Sequence, residues 1–467
     1  MPDLHVVILA AGKGTRMKSA LPKVLHRVGG LPMIEYVLRT ADQLNPRSRT
    51  IVVGHLKESV RQALGVPRAA RGRADVTFVT QEPQRGTGDA LLHTAPLLEQ
   101  ASGSILLLSG DVPLLRAATL VRLIEQHHEA DAAATVLTAV VDRPYGYGRI
   151  VRTGGRLSRI VEERDASPAQ RQIKEINSGV YLFAIAPLYE ALRGLATHNA
   201  QGEYYLPDLI ASYRRRRRNV QGALLASPDE ILGINSRSEL AEASRVVRQT
   251  KNEELMAAGV TIEDPETTYI EPDVEVGSDT VIHPGVHLEG RTRVGSACEI
   301  HAGVRIVNSV LEDRVTIWNF CVLDGAHLGP GSIIGPFAHL RPESRVGAEA
   351  HVGNFVELKK TTLGARSKAN HLTYLGDATI GERVNVGAGT ITCNYDGERK
   401  HQTVIEDGAF IGSDTQLVAP IRIGRGAYVG SGATVREDVP AGALAVSAGK
   451  QRNIEGWVEK KKAKRRE

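Results

Sequence analysis

From residue 270 onward aliphatic side chains return every six positions, with Ile270, Val276, Ile282, Leu288, Val294, Ile300 and Ile306 on one phase. Val274, Thr280, Val286, Thr292, Cys298, Val304 and Val310 fall on a second phase. Neither the 3.6-residue period of a helix nor the two-residue alternation of an amphipathic strand produces that spacing. A period of six fits a parallel β-solenoid. Each short strand turns one aliphatic residue inward, a small or β-branched residue takes the second inward position, and Gly or Asp makes the turns. The pattern slips near residues 311–318, resumes through residues 326–435 and breaks around residues 394–401.

The chain has 467 residues, too many for one hydrophobic core, so two or three domains are expected. Upstream of the repeats, short apolar runs at residues 6–9, 50–53, 76–80, 105–108, 133–138 and 180–185 alternate with longer amphipathic stretches. That βαβ rhythm predicts parallel strands buried on both faces, with ligands held at their C-terminal ends. Between the two regions Leu240, Ala243, Val247 and Leu255 recur at helical separations, and Ser238 followed by an acid marks a helix start. The expected organisation is a Rossmann-like α/β domain at 1–237, a linker helix at 238–258 and the solenoid at 259–467.

The first apolar run empties into Leu9, Ala10, Ala11, Gly12, Lys13 and Gly14, with Arg16 and Lys23 close behind. Small residues let backbone N–H groups approach phosphate oxygens, and the two cations add charge where negative charge develops during transfer. The run lacks the G-x-x-x-x-G-K-[ST] of a Walker A loop, and Met17 stands where a Rossmann fingerprint needs Gly or Ala. A second glycine turn, Gly86-Thr87-Gly88, follows Gln81, whose amide can bond the edge of a base lying on the turn. Ser109-Gly110-Asp111 emerges from the run at 105–108, a position suited to Mg²⁺, which needs only one or two protein oxygens beside substrate phosphates. In the solenoid, His371 lies in a polar stretch that interrupts the repeat; a histidine is the natural base for an amine attacking a thioester, although one of 15 histidines is ordinarily structural.

Charge and cysteine content narrow the function classes. The formal charge of +5 is concentrated in residues 214–218 and in a basic tail at 460–466, without interleaved aromatics for base stacking, so no nucleic-acid partner is expected. Three cysteines, Cys298, Cys321 and Cys393, give no paired spacing for a disulfide frame or zinc site and fit a reducing, cytoplasmic setting. No run of 18 apolar residues is present, so no membrane span is expected.

The L-A-A-G-x-G-T-R-M…P-K signature at residues 9–23 resembles that of sugar-phosphate nucleotidyltransferases. Together with Gly146-Tyr-Gly148, Glu162-Glu163 and Asn177-Ser-Gly179, it is similar to the N-acetylglucosamine-1-phosphate uridyltransferases. The repeats resemble the left-handed β-helix of hexapeptide acyltransferases, which implies a homotrimer with acyl-CoA at subunit boundaries. Residues 355–377 resemble the glucosamine-1-phosphate N-acetyltransferase half of the same bifunctional family.

The resemblance implies that Leu9 to Gly12, Gln81, Gly86 and Thr87 bind UTP, with Ser109 and Gly110 in the same site. It gives the phosphates to Arg16 and Lys23, the sugar to Gly148, Glu162 and Asn177, and Mg²⁺ to Asp111 and Asn235. In the second site it implies His371 as general base and Arg341 and Lys359 on the sugar phosphate. Tyr374, Asn385, Asn394 and Tyr395 would hold glucosamine 1-phosphate or acetyl-CoA, and Ala388, Ser413, Ser431 and Ala448 would lie along CoA. Ser109 replaces a frequent Tyr, Ser431 a common Ala and Ala448 a usual Arg; the last implies a weaker grip on acetyl-CoA unless Lys450 or Arg452 reaches the same phosphate. The implied product is UDP-N-acetylglucosamine for bacterial cell-wall polymers. A single-activity nucleotidyltransferase with a vestigial solenoid would be an alternative, as would a non-catalytic regulatory subunit. The latter would have eroded Lys23, Asp111 or His371, which are all present.

Overall fold

The computed structural model describes residues 3–12, 14–64, 75–447, 449, 451 and 453–463. The chain divides into two compact units, Met1–Val247 and Arg248–Glu467.

The first unit is built on nine strands: β1 (Leu4–Ala10), β2 (Ser48–Val53), β3 (Thr77–Thr80), β4 (Ser104–Ser109), β5 (Ala134–Val140), β6 (Arg149–Thr153), β7 (Arg156–Val161), β8 (Glu175–Ala184) and β9 (Val220–Leu224). Seven form a sheet in the order β9-β5-β8-β4-β1-β2-β3, and β6 and β7 form a hairpin beside β8. Alternation along the central strands supplies two cores. Val6, Ile8, Leu106 and Leu108 face one, together with Ile34 and Leu38 of helix Met33–Asp42 and Leu120 and Leu123 of helix Ala117–Glu129. Val7, Ile105 and Leu107 face the other, against Leu188 of helix Ile185–Arg193 and Ile210 of helix Asp208–Arg215. Each such side chain, fully buried, contributes about 1.5–3 kcal/mol from the apolar area taken out of water.

The sheet departs from the all-parallel expectation at β8, which runs antiparallel to both β4 and β5. The departure matters for the site. Tyr181 pairs with Leu107 and Ala184 with Ser104, so β8 starts at the edge where β4 ends and delivers Asn177 to it. A register shift between Asn177 and Tyr181 frees that segment from the regular ladder.

In the second unit the short strands stack into three parallel sheets of 11, 10 and 9 strands among the described residues, the three walls of a left-handed parallel β-helix. Ile282, Ile300 and Ile317 lie above one another in one wall and Leu288, Ile306 and Leu323 in the next, all with no exposed surface. The second inward position holds Thr280, Val286, Thr292, Cys298 and Val304, also buried. The buried Thr280 hydroxyl is satisfied within the stack: its Oγ1 donates to Gly295 O at 2.9 Å and accepts from Cys298 N–H at 3.1 Å.

The hexad register fails earlier than the sequence suggests. Val310 is 39% exposed, and Ser309 takes the inward place instead. Arg293 pairs with Val310 and Val294 with Leu311, a coil one residue shorter than the 18 separating Ile282 from Ile300. At residues 392–417 a coil lengthens instead, because Thr392 pairs with Leu417 across an inserted loop. The Asp396 carboxyl there is held well below its usual range by the backbone N–H of Arg399 and by His401. Cys298 and Cys321 are free, buried core residues whose thiols burial pushes up, Cys321 to about 11.

The long helix Arg237–Ala257 contributes to both units. Ala243 packs with Val28, Met33 and Ile234, while Leu255 joins the β-helix core. No described helix is long and apolar enough to cross a membrane.

Candidate active sites

At the C-terminal edge of β1 and β4 the first unit opens a cleft of about 560 Å³. Leu9, Ala10, Ala11 and Gly12 form one rim, Gln81, Gly86 and Thr87 another, and Arg16, Lys23, Ser109, Asp111 and Asn235 its polar floor. Gly110 is not part of the lining; its N–H donates to Leu9 O at 2.9 Å, which ties the two strand ends together.

The loop after β1 needs glycine at Gly14, whose φ is +59° and where a Cβ would lie 2.7 Å from Lys23 Cβ. That close approach aims Lys23 inward, with its side chain only 13% exposed. Its ammonium donates to the Asp111 carboxylate and to Asn235 Oδ1, the latter at 2.6 Å. Arg16 also donates to Asn235 Oδ1, at 2.8 Å, and Ser109 Oγ donates to Asp111 Oδ1 at 2.7 Å. Asn235 is oriented by its own amide, which gives Nδ2–H to Gly233 O at 3.0 Å and leaves Oδ1 facing the cations. Ile234 N–H to Asp111 O at 3.1 Å holds the two loops in register.

A carboxylate and an amide oxygen thus meet around the ammonium of Lys23, and the amide oxygen also accepts from Arg16. Such a pair of hard oxygens beside open space is the donor set magnesium takes when phosphates and waters complete its shell. The residues present fit that ion.

The glycine turn is clasped from outside. Gly86 has φ +109°, and a Cβ there would lie 2.8 Å from Tyr204 O and 2.9 Å from Glu203 Cβ, so only glycine fits. Gly88 N–H donates to Tyr204 O at 2.9 Å, and Leu206 N–H to Thr87 Oγ1 at 3.2 Å. Glu203 and Gln84 also line the cleft, the latter donating to Ala11 O at 2.6 Å. Neither is marked by sequence as a cleft residue: Gln84 lies inside the motif between Gln81 and Gly86, and Glu203 comes from a segment with no motif.

Gly148, Glu162 and Asn177 converge as a separate cluster at the base of the β6–β7 hairpin. Asn177 N–H donates to Gly148 O at 2.9 Å, and a Cβ on Gly148 would lie 3.1 Å from Glu162 Oε1 and 3.4 Å from Asn177 Cβ. Burial, reinforced by the charges of Asp165 and Asp208, raises the Glu162 carboxyl above its ordinary value. The buried Arg149 braces the hairpin through Glu163 at 2.7 Å.

The β-helix register assembles the second site. His371 lies directly above Asn354 on the preceding coil, and its Nδ1 is 2.8 Å from Asn354 Oδ1. A carbonyl oxygen only accepts, so Nδ1 carries the hydrogen and the exposed ring keeps a lone pair on Nε2. Asn354 was invisible as a partner in sequence because it is 17 residues away and meets His371 only through the coil repeat.

Glu357 pairs with Tyr374 and Lys359 with Gly376 on the neighbouring wall, and Arg341 donates to Glu357 Oε1 at 2.9 Å. Lys359 lies so close to Lys400 that it pushes the Lys400 ammonium below its usual value, and two converging cations invite an anion. Asn394 donates to Asp377 Oδ2 at 2.6 Å, and both its amide and the Tyr374 hydroxyl crowd the space a Cβ on Gly376 would take. Tyr395 is 60% exposed on the inserted loop. Asn385 pairs with Lys368 one coil before and with Phe410 one coil after. Ala388, Ser413 and Ser431 stack at one corner of three coils, since Asp414 N–H donates to Ala388 O and Gly432 N–H to Ser413 O. Ala448, Lys450 and Arg452 lie outside the described residues, as does part of the basic tail.

Comparison with known proteins agrees with both halves. Residues 6–215 match the MobA-like NTP transferase domain, and residues 402–437 match the bacterial transferase hexapeptide family of six repeats. The chain therefore joins a nucleotidyltransferase to a hexapeptide transferase. It is 49% identical to the bifunctional protein GlmU of Trichlorobacter lovleyi, across 98% of each chain. It is 50% identical to GlmU of Syntrophotalea carbinolica, across 97% of each, and 46% identical to GlmU of an Exiguobacterium species, across 98% of this chain and all of that one. The chain belongs to the GlmU family of bifunctional proteins.

Proposed function

We propose that the first unit transfers a uridylyl group from UTP to N-acetylglucosamine 1-phosphate, and that the second N-acetylates glucosamine 1-phosphate with acetyl-CoA, so that the second reaction supplies the acceptor of the first. The convergence of Lys23, Arg16, Asp111 and Asn235 at the end of the phosphate loop carries the first half of this reading. An oxygen of the sugar 1-phosphate attacks the α-phosphorus of UTP in line. The new P–O bond forms as the bond to the bridging oxygen breaks, and pyrophosphate leaves.

No protein nucleophile is needed, so catalysis is alignment and charge neutralisation. Arg16 and Lys23 meet the phosphate oxygens, and Gln81, Gly86 and Thr87 hold the nucleoside. Gly148, Glu162 and Asn177 take the sugar hydroxyls and acetamido group. Asp111 and Asn235 hold Mg²⁺, which when bound neutralises charge on the triphosphate and leaving group.

In the second site Nε2 of His371 accepts a proton from the sugar amine as its nitrogen attacks the thioester carbonyl. The C–S bond then breaks, and CoA leaves as the thiol after taking up a proton. Arg341 and Lys359 hold the sugar phosphate, with Tyr374, Asn385, Asn394 and Tyr395 around the acceptor and the acetyl group. Ala388, Ser413, Ser431 and Ala448 line the CoA path. The exposure of His371 and Tyr395 on a single chain supports completion of this site by neighbouring copies in a homotrimer. The small, charged substrates of this reading support a cytoplasmic location. Full-length similarity and an intact His371 column disfavour a vestigial solenoid. Purified protein should release pyrophosphate from UTP and N-acetylglucosamine 1-phosphate only while a divalent ion is present, and should release free thiol from acetyl-CoA and glucosamine 1-phosphate with or without chelator. Chelator-resistant pyrophosphate release would contradict the metal assignment.

A further inference from the structure

Gln81 and Asp89 are both nearly buried, at 4% and 3% exposure, beside the cleft that Gln81 lines. The Gln81 amide gives one N–H to Gly86 O and the other to Asp89 Oδ2, each at 2.9 Å. Asp89 is itself held by Arg85, which donates to its other oxygen at 3.0 Å. Carbonyl and carboxylate oxygens accept and do not donate, so the amide nitrogen must lie on this side. Turned over, Gln81 would set its carbonyl against two acceptors in a water-poor pocket, and a buried acceptor left unpaired is costly. Its Oε1 is therefore the atom offered to the cleft.

The geometry points to Asp89 as a specificity-determining positioning residue for the nucleotide: it fixes the Gln81 amide carbonyl-outward, so that the site selects a base with an N–H at its pairing edge. Uracil carries a hydrogen on N3 and donates it to such an oxygen. Cytosine presents a bare N3 lone pair at the same place, where Oε1 repels it. The discrimination is set one residue removed from the base, by a carboxylate that never touches it. This assignment rests on the uridylyl reading above.

The test is the ratio of kcat/KM for UTP to that for CTP, measured by pyrophosphate release on one preparation, so that the fraction of folded enzyme cancels. Asp89→Asn keeps the size of the side chain but can offer N–H as well as oxygen, which lets Gln81 turn over. We expect the UTP:CTP ratio to fall at least tenfold, with KM for UTP rising and KM for CTP falling. Arg85→Gln leaves both bonds from Gln81 in place and should hold the ratio within about twofold. An unchanged ratio in Asp89→Asn, or an equal fall in Arg85→Gln, overturns the assignment. Wild-type protein inactive on UTP would instead overturn the uridylyl reading itself, a result distinct from either.

Discussion

Lys23 balances the charge of the first site. Its ammonium lies between Asp111 and Asn235, and under the proposed function a triphosphate entering the cleft would draw on that same charge. Lys23→Met should lower uridylyl transfer by about 10²–10³, the usual cost of removing one preorganised charge donor from a transition state. The acetyl transfer rate should not change, and parallel assays of pyrophosphate and free thiol check both. His127 supplies a prediction on stability. It is 2% exposed, its Nδ1 lies 2.8 Å from Thr135 Oγ1, and burial followed by the charge of His128 pushes its pKa down to about 4. A histidine that resists protonation when folded binds fewer protons than its unfolded counterpart, whose pKa is about 6.5. Its contribution is intact above that value and is lost as the pH falls towards 4, by at most about 3 kcal/mol. Urea midpoints followed from pH 7 to 4 should drop less steeply in His127→Gln than in the parent chain. At this scale the sequence exposed the residues whose chemistry is intrinsic, such as Lys23, Asp111 and His371. It concealed Asp89, Glu203 and Asn354, whose places beside Gln81, the cleft and His371 come only from the fold.

The elements explain which parts of the site were legible. The loop after β1 reads directly from sequence because its geometry is local: Gly14 must adopt φ +59° beside Lys23, and a small-residue run after an apolar one announces that turn. The hexads read equally well wherever successive coils repeat the same inward step, as from Ile282 to Ile300. Strand direction is different. Nothing within residues 175–184 says whether β8 runs with or against β4; the connections decide it, and the antiparallel choice is what carries Asn177 to the ligand edge. The register slip at Ser309 escaped for a similar reason, since Val310 is as good an inward residue in composition and only the neighbouring coil excludes it. The Gly86 turn offers a test at this scale. Gly86→Ala forces a Cβ against Tyr204 O at a positive φ, so the turn must open. KM for UTP should rise tenfold or more, while KM for acetyl-CoA stays as it was.

As a whole molecule, the protein places two unlike sites in two separate units of one chain, one in an α/β sheet and one on a β-helix. The β-helix site is built on an exposed column around His371, and light scattering on the purified protein should give three times the chain mass; a stable monomer with full acetyl transfer would contradict completion by neighbours. Two independent chemistries share the polypeptide, and they should be separable by mutation. Asp111→Ala and His371→Ala, each assayed for pyrophosphate release and for free thiol, test this separation most directly. Asp111→Ala should abolish only the first activity and His371→Ala only the second. Loss of both activities in either variant, with the fold retained, would contradict it.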